Sequence, residues 1–338
     1  MTLSESTEHL HAIELPTPFP VGPVTVYLAD APGEPLTLID TGPHTAEARA
    51  VLDESLERLG HNTSDLARII ITHAHADHFG LAAELVSASQ ATVWSHAWNI
   101  ASLADGEDFR ARRIRFYAEL MQEAGVPTEI MLAIGQATGN VNRYTRPVTT
   151  EATLREGDTL RMAGRDWQIL HTPGHSAGLI CLHDPASQTL ISSDHLLAYI
   201  SSNPVVEPPP PGQSERPRSL VLYQRSLLRV ASMGIQRALP GHGPIIRDVA
   251  ALVQQRMGFH QRRVERVLAA LRQGARTTWE ITQALFPNLS PLDTFLAVSE
   301  VIGHLDLLEM EGEIAREIAR TTAGELAVWS PVRTQTGA

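Results

Sequence analysis

Apolar and polar positions along this chain change period several times, and each change marks an element. Val24 to Leu28 and Leu36 to Asp40 alternate apolar and β-branched residues around Pro32-Gly33, which predicts a hairpin or meander within residues 12–41. Residues 45–59 carry Ala, Leu and charged side chains at helical spacing. Leu66 to Thr72 then reads as a buried strand, Gly80 to Ser89 as a helix and Ala91 to Ser95 as another strand. Strand, helix and strand in this order predict a layered α/β fold.

Two amphipathic helical stretches follow between residues 107 and 138, the second after Pro127. They interrupt the strand series and predict a helical insertion at about 105–140, either a lid over a site or an ordinary packed pair. Strands resume at Thr159–Met162, Trp167–His171, Gly178–Leu182 and Thr189–Ser192. Pro204 to Pro217 contains four consecutive prolines, Pro208 to Pro211, and predicts extended surface chain because proline lacks an amide donor. A helix at Leu220–Met233 leads into Ala238-Leu239-Pro240-Gly241-His242-Gly243. Helical patterns at Met257–Gln273, Trp279–Phe286 and Leu292–Leu308, then a hairpin from Glu311–Ala315 and Leu326–Trp329, suggest a winged-helix-like module. The expected organisation is a catalytic domain over 1–255, this module over 256–333 and a disordered tail, Thr334 to Ala338.

Composition narrows the classes. With 338 residues and 43% hydrophobic residues the chain can bury two cores. Its formal charge is −11 and all 27 basic residues are Arg, so a lysine nucleophile or Schiff base is excluded. An acidic chain repels polyphosphate, which counts against general nucleic-acid binding. Cys181 is a single cysteine in an apolar run, so no internal disulfide forms. Met1 to Pro20 lacks a basic-then-apolar export pattern, and no apolar run reaches membrane-spanning length. The expected location is the cytoplasm, without membrane partners.

The chemistry is concentrated in Thr72-His73-Ala74-His75-Ala76-Asp77-His78, directly after the apolar run. Imidazoles and a carboxylate delivered to one strand end can hold zinc or a similar divalent metal. Three later segments share this character: His171-Thr172-Pro173-Gly174-His175-Ser176, Ile191-Ser192-Ser193-Asp194 and Pro240-Gly241-His242-Gly243. Each follows a strand or a sharp Gly/Pro turn that exposes its ligand.

In these ordered motifs, over roughly residues 12–250, the chain resembles the metallo-β-lactamase-fold hydrolase superfamily, with a glyoxalase II-like ligand set. The resemblance implies a four-layer αββα sandwich with the site at one edge of two packed sheets. It implies two divalent metal ions, zinc before iron or manganese: His73, His75 and His175 on one, Asp77, His78 and His242 on the other, Asp194 bridging. It implies that Asp40, in Asp40-Thr41-Gly42, supports the ligand loop from behind, beside Thr72. Asp77 is also the candidate catalytic residue, hydrogen-bonding the nucleophile. His44, His195, Phe116, Tyr117, Tyr144 and Tyr199 are candidate pocket residues.

Two close metal ions share a hydroxide at neutral pH and direct it at carbon or phosphorus. The first expectation is therefore a binuclear zinc hydrolase of a small ester, thioester or lactone. A phosphodiesterase or phosphotriesterase using the same site is the alternative, and an RNA-processing or nucleic-acid-binding protein is the alternative from another class. Pro291 to Glu313 carries Asp293, Glu300, Asp306, Glu309, Glu311 and Glu313 but no Arg, so the terminal module is expected to pack or to form a homodimer rather than bind nucleic acid.

Overall fold

The computed structural model describes residues 8–321 and 324–332. The tail expected from Thr334 to Ala338 lies outside the described residues. A six-stranded sheet holds β1 (Leu10–Leu15), β2 (Val24–Ala29), β3 (Thr37–Ile39), β4 (Arg68–Ile71), β5 (Thr92–His96) and β6 (Ala152–Leu154), in that order. β1 to β3 pair antiparallel, and β3 to β6 pair parallel. A five-stranded sheet holds β7 (Thr159–Met162), β8 (Arg165–His171), β9 (Ile180–Asp184), β10 (Thr189–Ser193) and β11 (Arg237–Pro240), in the order β11-β10-β9-β8-β7. Only β10 and β11 are parallel in it.

The alternation of side chains along each strand builds the layers. In β4, Ile69 and Ile71 face α1 (Ala46–Arg58) and α3 (Ala82–Ser89), whose Leu52, Leu56 and Leu85 complete one core. Ile70 faces the other way, onto Trp167, Ile169, Ile180 and Leu182 between the sheets. In β9, Cys181 turns outward to α7 (Ser219–Ala231) and α8 (Val249–Arg272), against Tyr223, Leu227 and Val253. The result is the expected αββα sandwich. Two short helices, α2 (Ala76–Phe79) and α4 (Ile100–Ala104), sit in the β4–β6 connections.

The insertion is α5 (Glu107–Glu123) and α6 (Thr128–Val141). α9 (Thr278–Leu285), α10 (Pro291–Met310) and a hairpin of β12 (Ile314–Thr321) and β13 (Gly324–Pro331) follow α8. α10 serves two cores at once. Val298 and Ile302 pack on Met121 and Ile134 of the insertion, while Val301, Leu305 and Leu308 pack on Val264, Val267 and Ile281.

Several boundaries differ from the sequence expectation. The division at 255/256 falls inside α8, which starts at Val249 rather than Met257 and runs unbroken from the second sheet into the terminal core. Asp248 caps its start by accepting a bond from the Ala251 amide. β6 has no counterpart in the sequence pattern: three residues are too short to show a period. The hairpin is longer than its apolar positions suggest, because its strands are largely exposed and carry charges.

Candidate metal centre

Five chain segments meet at one rim of the sandwich. β3 ends in Asp40, β4 in Thr72–His78, β8 in the turn to His175, β10 in Asp194 and β11 in His242. Strand ends gather there because β3 and β4, and β10 and β11, run parallel in their sheets. Local geometry then aims each side chain. His75 is extended (φ −90°, ψ 150°) and starts α2, so Asp77 and His78 fall in its first turn. Phe79 anchors that turn in the core. Gly80 has no space for a β-carbon, which would collide with the His44 amide nitrogen and the Tyr144 carbonyl oxygen. Gly241 is needed for the same reason: its β-carbon would collide with Asp194 Oδ1 and meet His78 Cε1 at 2.8 Å.

The expected ligands converge in overlapping groups: His73, His75 and His175; His73, His78 and Asp194; Asp77, His78 and His242. His75 Nδ1 lies 3.1 Å from His73 Nε2 and 2.9 Å from His175 Nε2. On the other side His242 Nε2 is 3.3 Å from Asp77 Oδ2, and His78 Nε2 is 4.0 Å from Asp77 Oδ1. Asp194 stands between the two sets. Its Oδ2 is 3.5 Å from His175 Nε2 and 3.7 Å from His242 Nε2, and its Oδ1 is 3.4 Å from His78 Nε2.

The outward ring nitrogens fix which nitrogen faces inward. His78 Nδ1 donates to Asp40 Oδ2 at 2.8 Å, His242 Nδ1 to the Pro23 carbonyl at 2.7 Å and His175 Nδ1 to the Asn203 carbonyl at 3.2 Å. Thr72 gives its hydroxyl proton to Asp40 and so accepts from His73 Nδ1 at 3.1 Å. Asp40 also accepts from the Thr72 amide at 2.8 Å. Asp40 and Ser193 both hold left-handed backbone (φ 59° and 44°), a strained state for residues other than glycine, and their side chains meet.

These residues fit a divalent cation. Among the described residues His78 Nε2, His242 Nε2 and Asp194 Oδ1 are buried without a hydrogen-bond partner, which is costly unless a cation satisfies them. Protonation differs across the site. Burial, then neighbouring imidazoles, holds His73 well below the usual imidazole range and pushes His175 down to about 3. Burial also opposes charge on His78, but Asp194, Asp40 and Asp77 outweigh it and raise its pKa well above the ordinary value. The field that attracts a proton to His78 equally attracts a metal ion.

Beside the rim opens a cleft of about 960 Å³, floored by His75 and Asp77 and walled by α5, α6, the proline-rich segment and α10. Of the candidate pocket residues, Tyr117 lines it. Five do not. Phe116 is one helical step from Tyr117 and turns into the core shared with Met121. Tyr144 packs edge-on against Phe19, one layer behind the wall. Tyr199 is 81% exposed, away from the cleft. His44 turns to Glu84, at 3.5 Å, and His195 is buried against Tyr223 under the sheet.

Sequence reasoning missed four contributors. Asn203 and Pro23 act through backbone carbonyls, which leave no side-chain signal. Glu207 lines the cleft and accepts from the Ala177 amide at 2.7 Å. Arg256, from α8, donates to the carbonyls of Leu197, Ala198 and Ile200 at 2.8, 3.1 and 2.9 Å. It thereby pins the loop between Asp194 and Asn203. An arginine within the amphipathic pattern of α8 was its one available sign.

Comparison with known proteins agrees with this geometry. The family model of the metallo-beta-lactamase superfamily matches residues 19–242, and that of the metallo-beta-lactamase-like C-terminal domain matches 264–323. A probable metallo-hydrolase of Bacillus subtilis (strain 168), YqjP, is 37% identical over 313 residues, 91% of this chain and 95% of that protein. An atrochrysone carboxyl ACP thioesterase of Aspergillus fumigatus is 26% identical over 203 residues, 56% of this chain and 60% of its own length. The crystal structure of a metallo-beta-lactamase family protein from Thermus thermophilus superposes with a TM-score of 0.80 at 27% identity, covering 96% of this chain and 99% of that one. With its sandwich, its rim of histidines and aspartates and these matches, the chain belongs to the metallo-beta-lactamase superfamily.

Proposed function

We propose that this metallo-hydrolase is binuclear and cleaves a small carboxylic ester, thioester or lactone. The observation that carries the reading is Asp194, whose two oxygens face imidazoles of both ligand sets. His73, His75 and His175 would hold one ion, Asp77, His78 and His242 the other, and Asp194 both. Bound divalent ions acidify water and polarise a carbonyl oxygen, which is the chemistry hydrolysis needs. Zinc suits a donor set dominated by imidazole.

The chain's own residues supply the rest. Asp77 lies on the cleft floor, placed to accept a hydrogen bond from the attacking water. Ser176 lines the same cleft, and its buried Oγ has no hydrogen-bond partner among the described residues. Cys181 is no nucleophile: it is buried on the far side of its sheet and burial pushes its thiol up to about 12. The apolar cleft walls suit an acyl group, and the Aspergillus relative described as a carboxyl ACP thioesterase points to carbon rather than phosphorus. We read the terminal module as winged-helix-like and as packing, since α10 buttresses the insertion.

The test is a panel of chromogenic esters, thioesters, lactones, phosphodiesters and phosphotriesters, run with zinc-, manganese- and iron-loaded protein. Turnover of carboxylic substrates with two metal equivalents bound is expected. Turnover of phosphorus substrates alone would overturn the reading.

A further inference from the structure

We propose that the cleft takes an acyl group whose ester- or thioester-linked partner carries phosphate, with Arg112 and Arg113 receiving that phosphate. The inference rests on the carboxylic-hydrolase reading above. Charge is unevenly spread over the cleft wall. In a chain of net charge −11, α5 carries Arg110, Arg112, Arg113 and Arg115 within six residues. The first three line the cleft. Arg110 is occupied, bonding the Asp105 carbonyl at 2.9 Å and its carboxylate at 3.4 Å. Arg112 and Arg113 instead stack over the Phe109 ring at 5.8 and 5.7 Å, and neither meets a carboxylate among the described residues. Two guanidinium groups on one cleft wall, neither paired with a carboxylate among the described residues, are suited to receive a phosphate.

The remaining wall is apolar. Ile114 and Leu132 face the cleft from the two insertion helices and are 68% and 65% exposed, although both are large and aliphatic. Tyr117, Met121 and Phe295 continue the surface inward. Met121 lies eight residues beyond Arg113, about 12 Å along the helix at the usual rise. The wall is thus cationic at one end and apolar at the other, with His75 and Asp77 on its floor. A substrate matching it has an apolar chain, a scissile carbonyl and an anionic group on the leaving side. Hydrolysis adds water across the acyl bond. The acyl carbon gains oxygen, the alcohol or thiol takes one proton of the water, and the new carboxylic acid releases its own. An acylated phosphopantetheine and an acylated glycerol phosphate both carry this chemistry.

Binding and turnover separate the inference from the reading beneath it. In calorimetry on the metal-loaded protein, S-octyl coenzyme A should bind at least about tenfold more tightly than S-octyl pantetheine, which lacks phosphate. It should also bind at least about tenfold more tightly than S-methyl coenzyme A, which lacks the chain. Arg112→Ala combined with Arg113→Ala should bring the phosphate preference close to one, at an unchanged thermal midpoint. Added salt should weaken it in the wild type. Equal affinity for the two octyl probes, or a preference that survives the double substitution, overturns the inference. Turnover of octanoyl coenzyme A against 1-octanoylglycerol 3-phosphate then tells the two sources apart. If neither these nor neutral octanoyl esters are cleaved while the binding preference holds, the carboxylic-hydrolase reading fails and the phosphate site stands.

Discussion

At the metal rim, four of the five imidazoles are held from behind, His78 by Asp40, His73 by Thr72, His175 by Asn203 and His242 by Pro23. The cleft wall above has little of this. Ile114 and Leu132 stand exposed, and Arg112 and Arg113 rest on a ring rather than on a carboxylate. A metal centre must fix its donors to within a fraction of an ångström before any substrate arrives, so the residues that support it are rigid and buried. A wall that sorts substrates can leave its contacts unsatisfied until one binds. The rim therefore sets the reaction and the wall sets what reacts.

The largest expected effect follows from breaking the rim at its centre. Asp194→Ala removes the carboxylate shared by both histidine sets. Bound metal measured by elemental analysis should fall from two equivalents to one or fewer. Turnover should drop roughly a thousandfold, as the loss of several kcal/mol of transition-state stabilisation implies. Full activity with one equivalent would show that the two sets are not one working centre.

A step behind the ligands, Asp40→Ala should act on affinity before chemistry. Asp40 orients His78 directly and His73 through Thr72, and it does so from a left-handed backbone that alanine tolerates poorly. Metal dissociation constants, measured by chelator competition, should rise about ten- to a hundredfold. An unchanged constant would mean that the rim is held by its strands alone, and the contrast with the wall would lose its basis.

The same contrast explains what could be read without a structure. His73, His75, Asp77, His78, His175, Asp194 and His242 stand in short ordered motifs at the ends of periodic runs, so their types and order survive as a pattern. The layers were legible only in part: strand, helix and strand in order predict a layered α/β fold, the four-layer sandwich came with the family resemblance, and the continuous apolar runs of β4 and β9 do not show which residue serves which core. The wall was not. Whether Phe116 or Tyr117 faces a cleft depends on the rotation of α5, which tertiary packing against α10 decides. His44 and His195 neighbour the motifs in sequence, but the chain turns their side chains away. Backbone carbonyls such as those of Pro23 and Asn203 are invisible to any motif. Arg256 is equally hidden, since it reaches the loop before Asn203 from a later helix.

The smallest expected effect probes the wall itself. Glu207 is half-buried there, with one oxygen accepting from the Ala177 amide. Burial pushes its carboxyl up from 4.5 to about 7, the amide bond only partly offsetting this. The folded chain then keeps this proton up to about pH 7, whereas the unfolded chain loses it near 4.5. Between those values the native state binds more protons, so Glu207 lowers stability as pH rises through that window and adds no slope outside it. Glu207→Gln keeps an acceptor for the Ala177 amide and removes the titration. From pH 5 to pH 8, urea unfolding of equally metal-loaded proteins should show the wild type losing roughly 2 kcal/mol relative to the variant. The full shift would give more, but water in the cleft screens the charge. Parallel pH curves would mean that Glu207 is ionised throughout, and that this part of the wall is as well provided with polar partners as the rim.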